Sequence, residues 1–175
     1  MTLGLCNALV AVFPWSADYV CEYSAEMHRL QTLSGMSGTH FEHIGSTAIP
    51  DMVAKPIIDI MITVDDIERQ ASVASALVKG GYSCLGECGR QDRLFLVRGT
   101  SPCLTTHHIH LVLEGSLYQE NHLTIRDSFT TNSLLAHEYA ILKIRLATEY
   151  PMSRMMYRFY KGAFITEQVL QKNIG

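Results

Sequence analysis

The stretch Lys55-Pro56-Ile57-Ile58-Asp59-Ile60-Met61-Ile62-Thr63-Val64 decides the fold. Side chains alternate across a strand, so Ile58, Ile60, Ile62 and Val64 share one face, and Ile57, Asp59, Met61 and Thr63 share the other. A wholly aliphatic face must cover a core, and one carboxylate then points away from it. The chain after this strand reads as a helix, capped by Asp65 or Asp66, running through Ala71, Ala74, Leu77 and Val78 and closed by Gly80-Gly81. Tyr82 to Leu85 and Arg93 to Arg98 are predicted strands. In His108 to Leu113, Ile109, Leu111 and Leu113 share a face opposite His108, His110 and Val112. Before the deciding strand, Ser16 caps a helix to about Leu33, with Val20, Tyr23, Met27 and Leu30 at helical spacing, and His40 to Ile44 forms a short strand ended by Gly45. The C-terminal part is helical: Leu135, Tyr139, Leu142 and Leu146 form a stripe capped by Asn132 or Ser133, and a last helix covers about Ser153 to Lys172. Helices at both ends with strands between predict an α/β (α+β) fold, a mixed sheet packed by helices, in a single domain over residues 1–175.

Composition narrows the function classes. Hydrophobic residues make up 47% and charged residues 18% of 175, which supports a packed core and argues against disorder. A net charge of −3 provides no broad basic field, so nucleic acid is not an expected partner, although a local basic site is compatible. No apolar run approaches the roughly 20 residues that span a bilayer, and the apolar start from Met1 to Trp15 lacks a basic leader and a small-residue cleavage site. The five cysteines, an odd number, read as reduced thiols. A cytoplasmic protein without membrane partners is expected.

Two segments carry chemistry. In Glu42-His43-Ile44-Gly45-Ser46-Thr47-Ala48-Ile49-Pro50, a strand runs into a Gly-Ser bend that suits close approach of a ligand, with hydroxyls and N–H groups for an anion. Asp59, on the next strand, suits a divalent metal or a general base. The alternative is a plain turn and a strand-end carboxylate bonded to backbone. In Thr106-His107-His108-Ile109-His110, His108 and His110 project to one side and suit a shared metal or a phosphate; the alternative is an exposed pair without a ligand.

With these residues in hand, the chain resembles the GrpB (UPF0157) family, placed in the nucleotidyltransferase superfamily. The resemblance runs from Phe13-Pro14-Trp15 through His43 to Pro50, Lys55 to Ile60, Arg93-Leu94-Phe95, His108 to Val112, Ile125-Arg126-Asp127, Tyr139 to Lys143 and Lys161 to Ile165. It implies a nucleotidyltransferase-like sheet in which a Gly-Ser turn grips a triphosphate and carboxylates on two strands bind Mg²⁺. Gly45 and Ser46 match the turn and Asp59 the first acid. Met61 stands where the second acid would be, and His110 where the third would be. Thioether and imidazole shift the expected ion from Mg²⁺ towards Mn²⁺, Fe²⁺ or Zn²⁺ at Asp59, His108 and His110. His43 either joins from the neighbouring strand end or acts as an acid–base group.

Gly45, Ser46, Thr47, Lys55, Arg93 and Lys161 are the expected substrate-binding set, with Lys55 foremost because it lies between the bend and Asp59. Arg126 and Lys143, on helices, read as surface charge or ion pairs with Glu42, Asp127 or Glu138. Cys84, Cys88, Cys103 and His107 have a zinc-like spacing, but ordinary thiols are favoured. The Met- and aromatic-rich stretch from Met152 to Phe164 lines an apolar pocket, core or an oligomer contact. The expected function is an enzyme that binds a nucleotide, or another phosphorylated or carboxylated small molecule, for group transfer. The alternatives are a non-catalytic binding or folding-assistance module, as implied by family members fused to dephospho-CoA kinase, and a metabolite-specific enzyme with unrelated chemistry. A homo-oligomer is compatible with each.

Overall fold

The computed structural model describes residues 3–6, 9–90, 92–101 and 103–171. In chain order the elements are β1 (Leu5–Cys6), α1 (Asp18–Gln31), β2 (His40–Ile44), a 3₁₀ turn (Ser46–Ala48), β3 (Ile58–Val64), α2 (Ile67–Lys79), β4 (Ser83–Cys84), β5 (Arg93–Ser101), β6 (Leu104–Leu113), α3 (Leu117–Thr131), α4 (Ser133–Glu149) and α5 (Arg154–Ile165), which continues as a π-turn over Thr166–Leu170. No helix among the described residues is long and apolar enough to cross a membrane.

The strands form a mixed sheet in the order β2-β3-β6-β5-β4, with β1 beside the start of β6. β3 and β6 run parallel at its centre, joined by α2, β4 and β5, and every other pairing is antiparallel. The central register sets Asp59 opposite His108 and Met61 opposite His110. Ile58, Ile60 and Ile62 of β3 and Ile109 and Leu111 of β6 are fully buried, packed with Tyr19 and Leu30 of α1 and Val73 and Leu77 of α2. Each such aliphatic side chain stabilises the fold by about 1.5–3 kcal/mol relative to leaving it exposed. The opposite face carries Asp59, His108 and His110, and α3 folds back over it: Tyr118 packs with Ile44, Met61 and Val112. Behind α3, Phe129, Tyr139 and Val169 build a separate helical core.

Sequence patterning places most boundaries. Asp66 is the α2 cap, accepting from Arg69 N, and Asn132 caps α4, accepting from Leu135 N. β6 starts earlier than periodicity suggests, because Leu104 to His107 continue the ladder with β5 around a bulge at Gly99. A Cβ at Gly99 would collide with the Leu104 carbonyl oxygen. β4 is only Ser83–Cys84, shorter than the predicted strand. The last predicted helix breaks into α5 and its π-turn, and Lys172 lies outside the described residues.

The α1 stripe is rotated from the expected one. Val20 is 48% exposed, while Tyr19, Glu26 and Leu30 face inward. Glu26 takes a core position because its charge is fully matched. The Arg29 guanidinium donates to both carboxylate oxygens, and Arg98 of β5 and the Tyr82 hydroxyl donate as well. Arg29 also reaches the Gly80 carbonyl at 3.1 Å, tying α1 to the end of α2. Burial alone would raise the Glu26 carboxyl, but these donors pull it down to about 2. The folded state therefore gains stability that is present above the carboxyl's ordinary range and lost as pH falls towards about 2. Glu26→Gln, which strands the two guanidinium groups, is expected to cost about 2 kcal/mol or more at neutral pH. It should also flatten the loss of stability between pH ~4.5 and ~2, read from denaturant melts across that range.

Candidate functional site

The site lies at the end of β3 nearest the bend that follows β2. Gly45 adopts φ +71°, ψ −171°, a conformation that L side chains rarely adopt, and turns the chain into the Ser46–Ala48 turn. Glycine is required there for a second reason. A Cβ at Gly45 would stand 2.6 Å from Asp59 Oδ2 and 3.2 Å from its Cγ, so the carboxylate rests directly on the bare backbone.

Asp59, His108 and His110 converge. His108 Nδ1 lies 2.8 Å and His110 Nε2 3.3 Å from Asp59 Oδ1, and the three ligand atoms are all within 4.8 Å of one another. No other such group of His, Cys, Asp or Glu occurs among the described residues, and Cys84, Cys88 and Cys103 are exposed and belong to none. A carboxylate only accepts, so both imidazoles donate to it. The Asp59 side chain keeps 27% of its surface open, His108 22% and His110 10%. Burial would raise the Asp59 carboxyl, but the hydrogen bonds from His108 and His110 hold it well below the usual carboxylate range. Burial lowers His110 against the pull of Asp59, which favours a neutral ring.

With Nε2–H directed at Asp59, a neutral His110 presents a lone pair at Nδ1. The Tyr118 hydroxyl meets that atom at 2.7 Å. Arg93 Nη1 stands 3.4 Å from the same Tyr118 oxygen and 3.4 Å from His110 Nδ1. Tyr118 can donate or accept, so it supports either tautomer of His110. An imidazole that ligates through Nε2 must carry its proton on Nδ1, and the Tyr118 oxygen is placed to take that hydrogen bond. The donor set of one carboxylate oxygen and two ring nitrogens, with one side open, fits a divalent transition ion.

The other sequence-predicted residues divide into two groups. Ser46 sits at the bend, where its hydroxyl accepts from Lys143 Nζ at 2.7 Å. Lys55 and Lys161 both lie over the buried Tyr157 ring, at 4.7 and 5.7 Å from its centroid, and both feel the Asp59 charge. Burial, followed by the charges of Lys161 and Arg154, pushes Lys55 down to about 7. The second group is directed elsewhere. His43 pairs with Ile60 in the ladder, so its ring projects to the aliphatic face and stacks on Tyr23 at 4.5 Å. Its Nε2 lies 3.0 Å from the hydroxyl of Thr47, which is 1% exposed, and Trp15 donates to the Thr47 carbonyl. His43 and Thr47 thus brace the bend from behind. Arg93 is buried against Phe95 and backs His110.

Lys143 departs from the surface role expected for it. It is 1% exposed and donates to both Ser46 Oγ and the Val53 carbonyl. A signal was available: Lys143 falls within the stripe of Tyr139, Leu142 and Leu146, and a lysine on an apolar stripe points inward. Arg126 forms the ion pairs expected of it, with Glu42 at 2.6 Å and Asp127 at 2.8 Å. Tyr118 and His122 belong to no motif of the sequence. They stack at 3.9 Å on α3, and His122 stands 6.0 Å from His110.

Comparison with known proteins gives the family and the fold. The family described as GrpB protein matches residues 9–172. The chain belongs to the GrpB family. A curated relative, the UPF0157 protein YqkA of Bacillus subtilis, is 37% identical over 135 residues, 77% of this chain. The chain spans only 39% of the length of YqkA. The crystal structure of GrpB from Enterococcus faecalis superimposes with a TM-score of 0.80 at 28% identity, covering 94% of this chain and all of the other. Cid1 poly(U) polymerase bound to MgATP matches with a TM-score of 0.53 at 12% identity, over 75% of this chain and 43% of its own. The fold of this GrpB-family chain is therefore nucleotidyltransferase-like.

The contact between Gly45 and Asp59 gives a direct test of the site. Gly45→Ala forces either the bend or the carboxylate to move and is expected to cost about 1–3 kcal/mol, the usual range for backbone strain. The ¹⁵N shifts of the His108 and His110 imidazoles should move with Asp59. A variant whose ring shifts match the wild type would show that the carboxylate does not rest on Gly45.

Proposed function

We propose that this protein binds a phosphorylated or carboxylated small molecule, a nucleotide among the candidates, at the Gly45-Ser46 bend, and acts on it in group transfer beside an Asp59–His108–His110 metal centre. The observation that carries this reading is the meeting of three ligand atoms beside the Gly45-Ser46 bend, with Lys143 on Ser46 and with Lys55 and Lys161 near enough to feel the Asp59 charge. The nitrogen-rich donor set favours Zn²⁺ or Mn²⁺ over Mg²⁺. A divalent ion held there would supply Lewis-acid polarisation of an oxygen on the bound ligand. The chain's own residues do the rest. Ser46 and the neighbouring backbone hold the anion, Lys55 and Lys161 balance its charge, and Tyr118 and Arg93 fix the orientation of His110.

A non-catalytic binding module is the second reading, and Met61 favours it. Met61 is fully buried among Ile44, Val112 and Tyr118, so the place of a second carboxylate is sealed in hydrocarbon. Both readings require the ligand; only the first requires turnover.

Thermal melts with ZnCl₂ or MnCl₂ separate a real centre from chance proximity. A ligand at 100 times its dissociation constant stabilises by about 2.7 kcal/mol. That stabilisation is expected in the wild type and absent in Asp59→Asn. Equal stabilisation of the two proteins would move the metal elsewhere.

The anion site has a pH signature. Lys55 is charged below about 7 and neutral above it. Affinity for sulfate, whose charge is constant over this range, should therefore fall as pH rises through about 7. Calorimetric titrations from pH 6 to 9 should lose this step in Lys55→Met; a step that persists would assign it to another group.

A further inference from the structure

The anion site does not end at Lys161. α5 places Arg154, Arg158 and Lys161 at i, i+4 and i+7, on one side of the helix, and contains no acidic residue. Tyr157 lies on the same side, and its ring brings Lys55 onto α5. Among the described residues, no ion pair joins a carboxylate to Lys55, Lys161, Arg154 or Arg158, and the carboxylate charge that Lys55 and Lys161 feel is that of Asp59. Like charges at this spacing repel and destabilise a helix unless something anionic covers them. The chain as a whole has a net charge of −3, so this concentration of cations without an ion-pair partner goes against its overall composition.

Next to the cations lies a hollow of about 420 Å³, lined by Arg154, Met155, Arg158 and Phe159. Met155 and Phe159 are 75% and 67% exposed, so two guanidinium groups and two large apolar side chains border one open space. Arg154 is anchored through Nε to the Leu9 carbonyl at 3.4 Å. Arg154 and Arg158 both lie close enough to Lys55 to lower its proton affinity, and Arg158 does the same to Lys161. One turn further along, α5 carries a poor helix former at Gly162, and a Cβ there would meet nothing within 4 Å.

We infer that Arg154 and Arg158 form a second anion subsite continuous with the Gly45-Ser46 site, so that the ligand is elongated, with at least two separated anionic groups and an apolar or flat portion resting on Met155 and Phe159. A single phosphate or carboxylate reaches only the first subsite. A polyanion such as a polyphosphate ester engages both, and its uncharged end lies in the hollow. This inference rests on the anion-binding reading of the bend and extends it to the size and shape of the ligand.

Calorimetric titration of the full chain with sulfate, tripolyphosphate and ATP tests it. The wild type should bind tripolyphosphate at least about tenfold more tightly than sulfate, as expected for added charge-assisted hydrogen bonds. Below the Lys55 pKa of about 7, where that lysine is charged with or without its neighbours, Arg154→Gln/Arg158→Gln should lose that gain while keeping its sulfate affinity within about twofold, and its melting temperature should report an intact fold. ATP should bind severalfold more tightly than tripolyphosphate in the wild type, and that margin should vanish in Phe159→Ser. Sulfate binding without a tripolyphosphate gain, or a gain that survives the double variant, overturns the second subsite and leaves the first. Equal affinity for ATP and tripolyphosphate overturns the apolar part of the assignment. If neither sulfate nor tripolyphosphate binds, the anion-binding reading of the bend fails, and the extension fails with it.

Discussion

The parallel pairing of β3 with β6 is the constraint on which the rest depends. Because both strands alternate with the same period and Asp59 sits opposite His108, one face of the pair is wholly aliphatic and the other gathers a carboxylate and two imidazoles. A slip of one residue would bury the acid under α1 and α2 and expose the isoleucines to α3. The hydrophobic demand of Ile58, Ile60, Ile62, Ile109 and Leu111 therefore fixes the polar site as firmly as any hydrogen bond within it.

The polar face is only partly polar. Asp59 and His108 lie at its open end, whereas Met61, Val112 and Tyr118 close the other end with hydrocarbon. The carboxylate thus works in a setting where each charge must be met. Here two imidazoles meet it, and Tyr118 and Arg93 in turn support one of them. The back of the sheet handles its own buried acid in the same way, since Glu26 is matched by Arg29, Arg98 and Tyr82. In both places an ionised carboxylate is tolerated because its donors come from elements that the fold has already fixed.

Much of this could be read in the sequence. The period-two runs of β3 and β6 gave both faces, and the His-x-His pair and Asp59 met as their alternation implied. The nucleotidyltransferase-like fold was legible through the family motifs. What escaped the reading depended on tertiary contacts. Glu26 looks like a solvent residue until Tyr82 and Arg98 arrive from other elements. His43 lies in the motif next to Gly45, yet the antiparallel register with Ile60 turns it to the far face. Tyr118 and His122 gain their place only because the short turn after β6 folds α3 back across the imidazoles. Lys143 differs for another reason: a lysine reads as a solvated charge, but its position in an apolar stripe turns it inward.

The buried Lys143 side chain joins parts of the chain that are far apart in sequence. From α4 it holds Ser46 on one side of the bend and the Val53 carbonyl on the other. The bend is therefore shaped by a helix that is synthesised long after the strands it serves. A nascent chain released as far as β6 would hold every isoleucine of the sheet, yet the loop from Ser46 to Val53 would still lack its clamp. The pocket is thus among the last features to take form as the chain leaves the ribosome, and a protein split between β6 and α3 would recover it only on reassembly.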